Sequence, residues 1–166
     1  MSVATTWTSP TAQERLAIIR RTRTVAILGM SADPSRASHF VATYLISSSC
    51  SFEHVWFVNP KGGEVLGRPV YPTLADLPEP PNLVDVFRRQ DQLPDVAREV
   101  IALGGVQTLW FQLGLWSDEA ADIAHAAGLD VVMNRCLKIE HARFHGGLHL
   151  AGFDTGVVSS RRRRSL

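Results

Sequence analysis

Five short apolar runs, each separated from the next by a segment with a different pattern, constrain the fold of this chain more than any other feature. They are Thr24-Val25-Ala26-Ile27-Leu28, His54-Val55-Trp56-Phe57-Val58, Leu83-Val84-Asp85-Val86-Phe87, Thr108-Leu109-Trp110-Phe111-Gln112 and Asp130-Val131-Val132-Met133. They are rich in β-branched and aromatic residues and do not alternate with polar ones. Such runs suit strands covered on both faces, as in parallel sheets.

Helical signals fill most of the intervals. Ser9-Pro10-Thr11 opens a first helix, with Thr11 and Glu14 at capping-box spacing and Leu16 and Ile19 on its apolar stripe. Asp33-Pro34 reads as an N-cap and N1 pair before a helix carrying Phe40, Val41, Tyr44 and Leu45, which gives out at Ser47-Ser48-Ser49. Pro94 to Leu103 is helical and closed by Gly104. Ser117 caps a helix carrying Ala120, Ile123, Ala124 and Ala127, ended by Gly128. Between the second and third runs lie a Lys61-Gly62-Gly63 loop, an extended excursion from Glu64 to Tyr71, and the proline-rich stretch Pro72 to Pro81, with one helical turn around Leu74–Leu77. The alternation predicts an α/β/α sandwich whose sheet has five or six mostly parallel strands. A single domain is expected over residues 1–154, followed by a flexible basic tail over 155–166.

Charge narrows the function classes. The net charge is +1, but Arg161, Arg162, Arg163 and Arg164 distort it; residues 1–160 hold 13 basic and 16 acidic groups, or −3. A domain of that balance has no general attraction for nucleic acid. The two cysteines, Cys50 and Cys136, are too few for a disulfide framework or a complete thiolate metal site. No apolar run reaches the roughly 20 residues needed to span a bilayer, and the N-terminus lacks a signal-peptide layout. A cytoplasmic location with reduced thiols is expected.

In open parallel sheets, ligands bind outside the carboxyl ends of the strands. Those ends are Gly29-Met30-Ser31, Asn59-Pro60-Lys61, Phe87-Arg88, Gln112-Leu113-Gly114 and Asn134-Arg135-Cys136. At the first end, Gly29 lets the backbone approach a ligand, and the following helix start favours phosphate. Ser31 and Ser35 add hydroxyls and Arg36 a forked cation. The GxGxxG fingerprint is absent, with Gly29, Ser31 and Pro34 at the three positions. Where NAD-binding domains place an acid on the ribose, this chain has Asn59-Pro60-Lys61, a cation suited to a ribose phosphate as in NADP or coenzyme A. Phe87 is placed to flank a base or pantetheine and Arg88 to meet a phosphate. Gln112, Asn134 and Arg135 follow buried strands. Cys136 reads as a small buried residue. His141, His145 and His149 are four apart, but no acidic cluster completes a metal site, and His141 reads as structural or at a pocket rim. The motifs of the common nucleophilic hydrolases, zinc proteases and P-loop enzymes are absent. No catalytic residue and no metal ligand is expected.

These residues carry a resemblance. Val25-Ala26-Ile27-Leu28-Gly29-Met30-Ser31 with Pro34-Ser35-Arg36, Phe57-Val58-Asn59-Pro60, Tyr71 to Pro78, Asp85-Val86-Phe87-Arg88, Trp110 to Gly114, and above all Ala127 to His141 are similar to the small bacterial and archaeal CoA-binding proteins. Their domain resembles the CoA-binding domain of the succinyl-CoA synthetase α subunit. The resemblance implies a Rossmann-like sheet that binds coenzyme A or an acyl-CoA at its carboxyl edge. It implies Gly29, Met30, Ser31 and Arg36 at the phosphates and nucleotide, Asn59, Pro60 and Lys61 on the adenosine side, and Phe87, Arg88 and Gln112 along the rest. The family often has Asp at the position of Asn134 and Leu at that of Met30. The synthetases' phosphorylated histidine lies in a second domain, so their activity is not inherited. The expected protein is a non-catalytic carrier, sensor or accessory module, acting with a partner enzyme or a second copy, without nucleic acid or membrane. The alternative is a minimal NADP-dependent oxidoreductase.

Overall fold

The computed structural model describes residues 6–145. Seven strands form one sheet in the order β3-β4-β2-β1-β5-β6-β7. They are β1 (Thr24–Leu28), β2 (His54–Val58), β3 (Glu64–Val65), β4 (Arg68–Tyr71), β5 (Leu83–Val86), β6 (Thr108–Phe111) and β7 (Asp130–Val132). All adjacent pairs are parallel except β3 with β4. Leaving out β3, the six parallel strands run 3-2-1-4-5-6, the order of a Rossmann sheet. The five expected strands stand where their apolar runs predict. The extended excursion supplies two more as an antiparallel β3–β4 hairpin, so the sheet has seven strands where five or six were expected, and it is mostly parallel as expected.

Five helices cover the sheet: α1 (Ala12–Arg21), α2 (Ala37–Leu45), α3 (Leu93–Leu103), α4 (Asp118–Ala126) and α5 (Leu137–His145). One layer, α3 and α4, packs on Leu28, Val84, Val86, Leu109, Phe111 and Val131. The other, α1, α2 and α5, packs on Val25, Ile27, Leu83, Trp110 and Val132. Successive strand residues thus serve opposite layers, and every residue of β1, β5 and β6 is buried.

The local chemistry follows the sequence at most ends. Thr11 and Glu14 form their reciprocal capping box, and Ser117 Oγ accepts from the Ala120 amide. A short 3-10 turn over Leu74–Asp76 stands where one helical turn was expected. The start of α2 differs. Asp33-Pro34 does not cap it; the Asp33 carboxylate accepts from the Ser35 amide and hydroxyl in a turn, and the helix begins after Arg36. On α2, Val41 and Leu45 are buried but Phe40 is exposed. The helix α5 had no clear sequence signal, because two of the residues on its inward face are Glu140 and His141.

Beyond the described residues lie the flexible-tail expectation, Arg161–Arg164, Gly146-Gly147 and His149. Of the three spaced histidines, His141 alone has its side-chain surroundings described. No helix among the described residues is long and apolar enough to cross a membrane.

Candidate functional site

The sheet changes winding direction between β1 and β5. The chain passes from β1 to β2 on one side and returns on the other through β5. A crevice of about 550 Å³ opens over the carboxyl ends of these strands. It is lined by Gly29, Ser31, Arg36, Ala37, Ser38, Asn59, Phe87, Arg88, Arg89, Gln92, Gln112, Leu113 and Leu115. This is the position that doubly wound topology assigns to a ligand, and the size suits one. A groove of about 640 Å³ lies elsewhere, between the segment before α1 and the open edge of β7, and contains the Arg21–Asp130 ion pair. It is away from the carboxyl ends of the strands, and its Arg21 is already paired with Asp130.

Gly29 is fixed by sterics. Its φ is +94°, and a Cβ there would overlap the carbonyl oxygen of Phe87. Only glycine lets the ends of β1 and β5 come this close. The loop amides are not free for a ligand, however. Gly29 N and Met30 N both donate to Val58 O, at 2.9 and 3.0 Å, and Ser31 N donates to Ser38 Oγ at 2.9 Å. Donors come instead from α2. No side chain caps it, and the N–H groups of its first turn have no intrahelical acceptor. Ala37 and Ser38 of that turn line the crevice, where the helix dipole also favours an anion.

Charge completes the pattern. Arg36, Arg88 and Arg89 line the crevice, Arg89 meeting Asp91 at 3.5 Å outside it, and among the described residues no Asp or Glu belongs to the lining. Among the described residues the lining also lacks His, Cys, Lys and Tyr, so these supply no side chain able to exchange a proton near neutral pH. Toward β6 the wall turns neutral, with Gln112, Leu113 and Leu115.

Seven of the residues singled out from the sequence therefore share the crevice: Gly29, Ser31, Arg36, Asn59, Phe87, Arg88 and Gln112. Asn59 serves as a staple. Its Nδ2 donates to Met30 O at 2.8 Å, and its Oδ1 accepts from Lys61 N at 2.9 Å, tying the β1 and β2 ends together. The other six are elsewhere. Met30 turns inward and is buried with α2, because the positive φ of Gly29 swings the chain back over the sheet. Ser35 is occupied by Asp33. Pro60 and Lys61 are exposed and outside the lining. Asn134, at φ +57°, accepts from Gly114 N at 2.7 Å and so joins the β6 and β7 ends. Arg135 belongs to an ion cluster about the buried Glu140, which meets Arg15 at 3.0 Å, Arg143 at 3.4 Å and Arg135 at 3.9 Å. Desolvation, with Arg15 adding repulsion, pushes the Arg135 guanidinium below its usual pKa.

The sequence reading passed over Ala37, Ser38, Arg89, Gln92 and the side chains of Leu113 and Leu115 as crevice lining. Arg89 and Gln92 have one available signal: both follow Arg88 into the turn before α3. Ser38 has none, since it lies inside a helix run.

Two buried groups lie off the crevice wall. Asp85 is fully buried beside Ile27 and Trp110, its carboxyl has no hydrogen-bond partner, and desolvation raises its pKa well above the usual value. His141 is also fully buried and structural. Its Nδ1 meets Tyr44 Oη at 2.8 Å, and its Nε2 meets Ser51 Oγ at 3.1 Å and Cys50 Sγ at 3.6 Å. Burial raises the pKa of the Cys50 thiol, which does not favour a reactive thiolate. Cys136 is buried, and among the described residues no three potential ligands of the His, Cys, Asp and Glu types gather to hold a metal.

Comparison with known proteins agrees on one relationship. A family model described as a CoA binding domain matches residues 23–142. An uncharacterized protein of Bacillus subtilis, YneT, is 34% identical over 134 residues, covering 81% of this chain and 96% of its own. A structure of a cell-free-expressed protein from Thermus thermophilus is similar at 38% identity, with a TM-score of 0.73 and coverage of 81% of this chain and 98% of that one. A hypothetical protein from Pyrococcus horikoshii gives 33% identity, a TM-score of 0.76, and coverage of 88% and 100%.

Proposed function

The chain belongs to the CoA-binding domain family, and from that premise we propose that it holds coenzyme A, free or acylated, in the crevice over β1, β2, β5 and β6. The observation that carries this reading is the lining itself: Arg36 and Arg88, with Arg89 beside them, and an uncapped helix start, with no acid among the described lining residues. Such a wall favours a ligand with several phosphates. An acid to hold ribose hydroxyls, as a nicotinamide dinucleotide usually requires, is absent at the end of β2, where Asn59-Pro60-Lys61 stand.

The proposed role is to carry, sense or present the ligand without catalysis. Support comes from the described residues of the lining, which provide no nucleophile with a base and no proton-exchanging side chain. A partner enzyme or a second copy of this chain would then use the bound ligand.

Calorimetric titration with coenzyme A, dephospho-CoA and NADPH tests the reading. Coenzyme A is expected to bind tightest. Arg36→Ala and Arg88→Ala are each expected to weaken it by about 10- to 100-fold, the loss of one charge-assisted contact. Lys61→Ala, outside the lining, is expected to have a smaller effect. Preference for NADPH, or no binding of coenzyme A, overturns the reading in favour of a reductase or another ligand.

A further inference from the structure

Gln112 stands out on the crevice wall. It is only 7% exposed, and its side-chain Oε1 is buried without a hydrogen-bond partner. Its backbone is held on both sides, the amide donating to Val86 O at 3.3 Å and the carbonyl accepting from Leu115 N at 3.0 Å. The side chain is therefore carried on a fixed backbone at the end of β6, on the crevice wall. A buried acceptor left unsatisfied costs about 1–3 kcal/mol. Native structures keep few of these, and each calls for a reason. Asp85, the other buried side chain without a partner on the strands, is not part of the crevice wall.

The surroundings indicate what the missing donor is like. Arg36, Arg88 and Arg89 supply the charge of the crevice. The neighbours of Gln112 along the chain, Leu113 and Leu115, are apolar, and no charged residue of the lining belongs to this segment. A neutral, partly apolar part of a ligand fits there, provided that it brings a hydrogen-bond donor.

We infer that Gln112 is a specificity residue, whose Oε1 accepts a hydrogen bond from an amide N–H or hydroxyl on the neutral arm of the ligand. This rests on the reading that the crevice holds coenzyme A, whose pantetheine arm carries two secondary amides and a hydroxyl. The phosphates supply general attraction. Gln112 distinguishes a nucleotide that bears this arm from one that does not. A ligand without a donor at this point leaves Oε1 buried and unpaired, the situation by which polar sites reject an incomplete ligand.

The test compares coenzyme A with adenosine 3′,5′-bisphosphate, which lacks the arm, by calorimetry on the wild type and on Gln112→Met. Methionine keeps the length and removes the acceptor. Coenzyme A is expected to lose about tenfold in affinity, while the bisphosphate changes by less than about twofold. A second arm needs no variant: a coenzyme A analogue with both amide nitrogens and the hydroxyl of the arm methylated is expected to bind the wild type about tenfold more weakly than coenzyme A does. Where the wild type binds coenzyme A, equal losses for both ligands in Gln112→Met, or no loss for either, overturn the inference alone, as does an undiminished methylated analogue. A wild type that binds no coenzyme A overturns the underlying reading with it.

Discussion

On one side of the sheet, α3 and α4 bury a largely apolar cluster, from Leu28 and Val84 through Val100, Leu109 and Phe111 to Ala124 and Val131. On the other, α1, α2 and α5 bury Arg15, Ser38, Glu140 and His141 among their apolar residues, and Asp85 shares this face with Ile27 and Trp110. The apolar layer is held by non-directional contact and tolerates small shifts. The polar layer is held by directional bonds: Arg15 to Glu140, Tyr44 and Ser51 to His141, Ser31 to Ser38. The polar layer is also the one that contributes the first turn of α2 to the crevice. Hydrogen bonds and ion pairs fix the angular placement of a helix where packing alone would leave it loose. The layer that positions the binding donors thus carries the buried polarity.

The largest test of this contrast removes one member of the polar layer. Glu140→Ala leaves Arg15 buried without its partner and is expected to cost about 4 kcal/mol of stability. Adding Arg15→Met to that variant is expected to recover part of the loss, since it removes the most deeply buried of the cations left without their acid while Arg143 and Arg135 remain. In the apolar layer, Leu109→Ala is expected to cost about 3 kcal/mol through its cavity, and no second single substitution is expected to rescue it so simply. Denaturant melts of the four proteins measure both. If the double variant is as unstable as Glu140→Ala, the polar layer is not held by paired charge.

A smaller effect, of opposite sign, comes from Asp85. Its folded pKa is raised above the unfolded value of about 3.9. The folded state therefore keeps a proton that the unfolded state gives up. Stability is fully present below the unfolded pKa and is lost as pH rises toward and through the folded one. Asp85→Asn, nearly isosteric and always neutral, is expected to remove this decline. The variant should be more stable than the wild type at neutral pH, and its advantage should shrink as pH falls toward 4. Calorimetric melts from pH 4 to pH 8 check the sign; an advantage that grows on acidification refutes it. The least effect is expected at the apolar layer's edge, where Ser117→Ala removes the cap of α4 and should cost about 1 kcal/mol at any pH in that range.

The same contrast explains what the sequence revealed. Strands covered on both faces announce themselves, and β1, β2, β5, β6 and β7 were legible for that reason. β4 was read only as extended chain, because Arg68 and Pro69 leave it two inward residues, Val70 and Tyr71, paired with Phe57 and Val58. α5 was obscured because Glu140 and His141 occupy apolar positions of its inward face, so periodicity failed where polarity was buried. In the crevice, residues one or two steps past a strand line the wall where their backbone continues outward, as at Gln112 and Arg88. Met30 was misplaced because the left-handed turn at Gly29 reverses the direction of the side chain that follows. Arg135 and Asn134 sit at a strand end as expected, yet one faces Glu140 and the other Gly114, interactions that depend on tertiary contact.

The last strand has a guard. The indole of Trp7 donates to Val131 O at 3.0 Å on the outer margin of β7, packs edge-on against Trp116, and its backbone amide reaches Asp122. A terminal strand with free carbonyls can recruit another chain and seed aggregation. The few residues ahead of α1 therefore act as a stopper on sheet growth. Shortening the chain past residue 8 should leave binding chemistry untouched but make the protein prone to self-association during expression and storage.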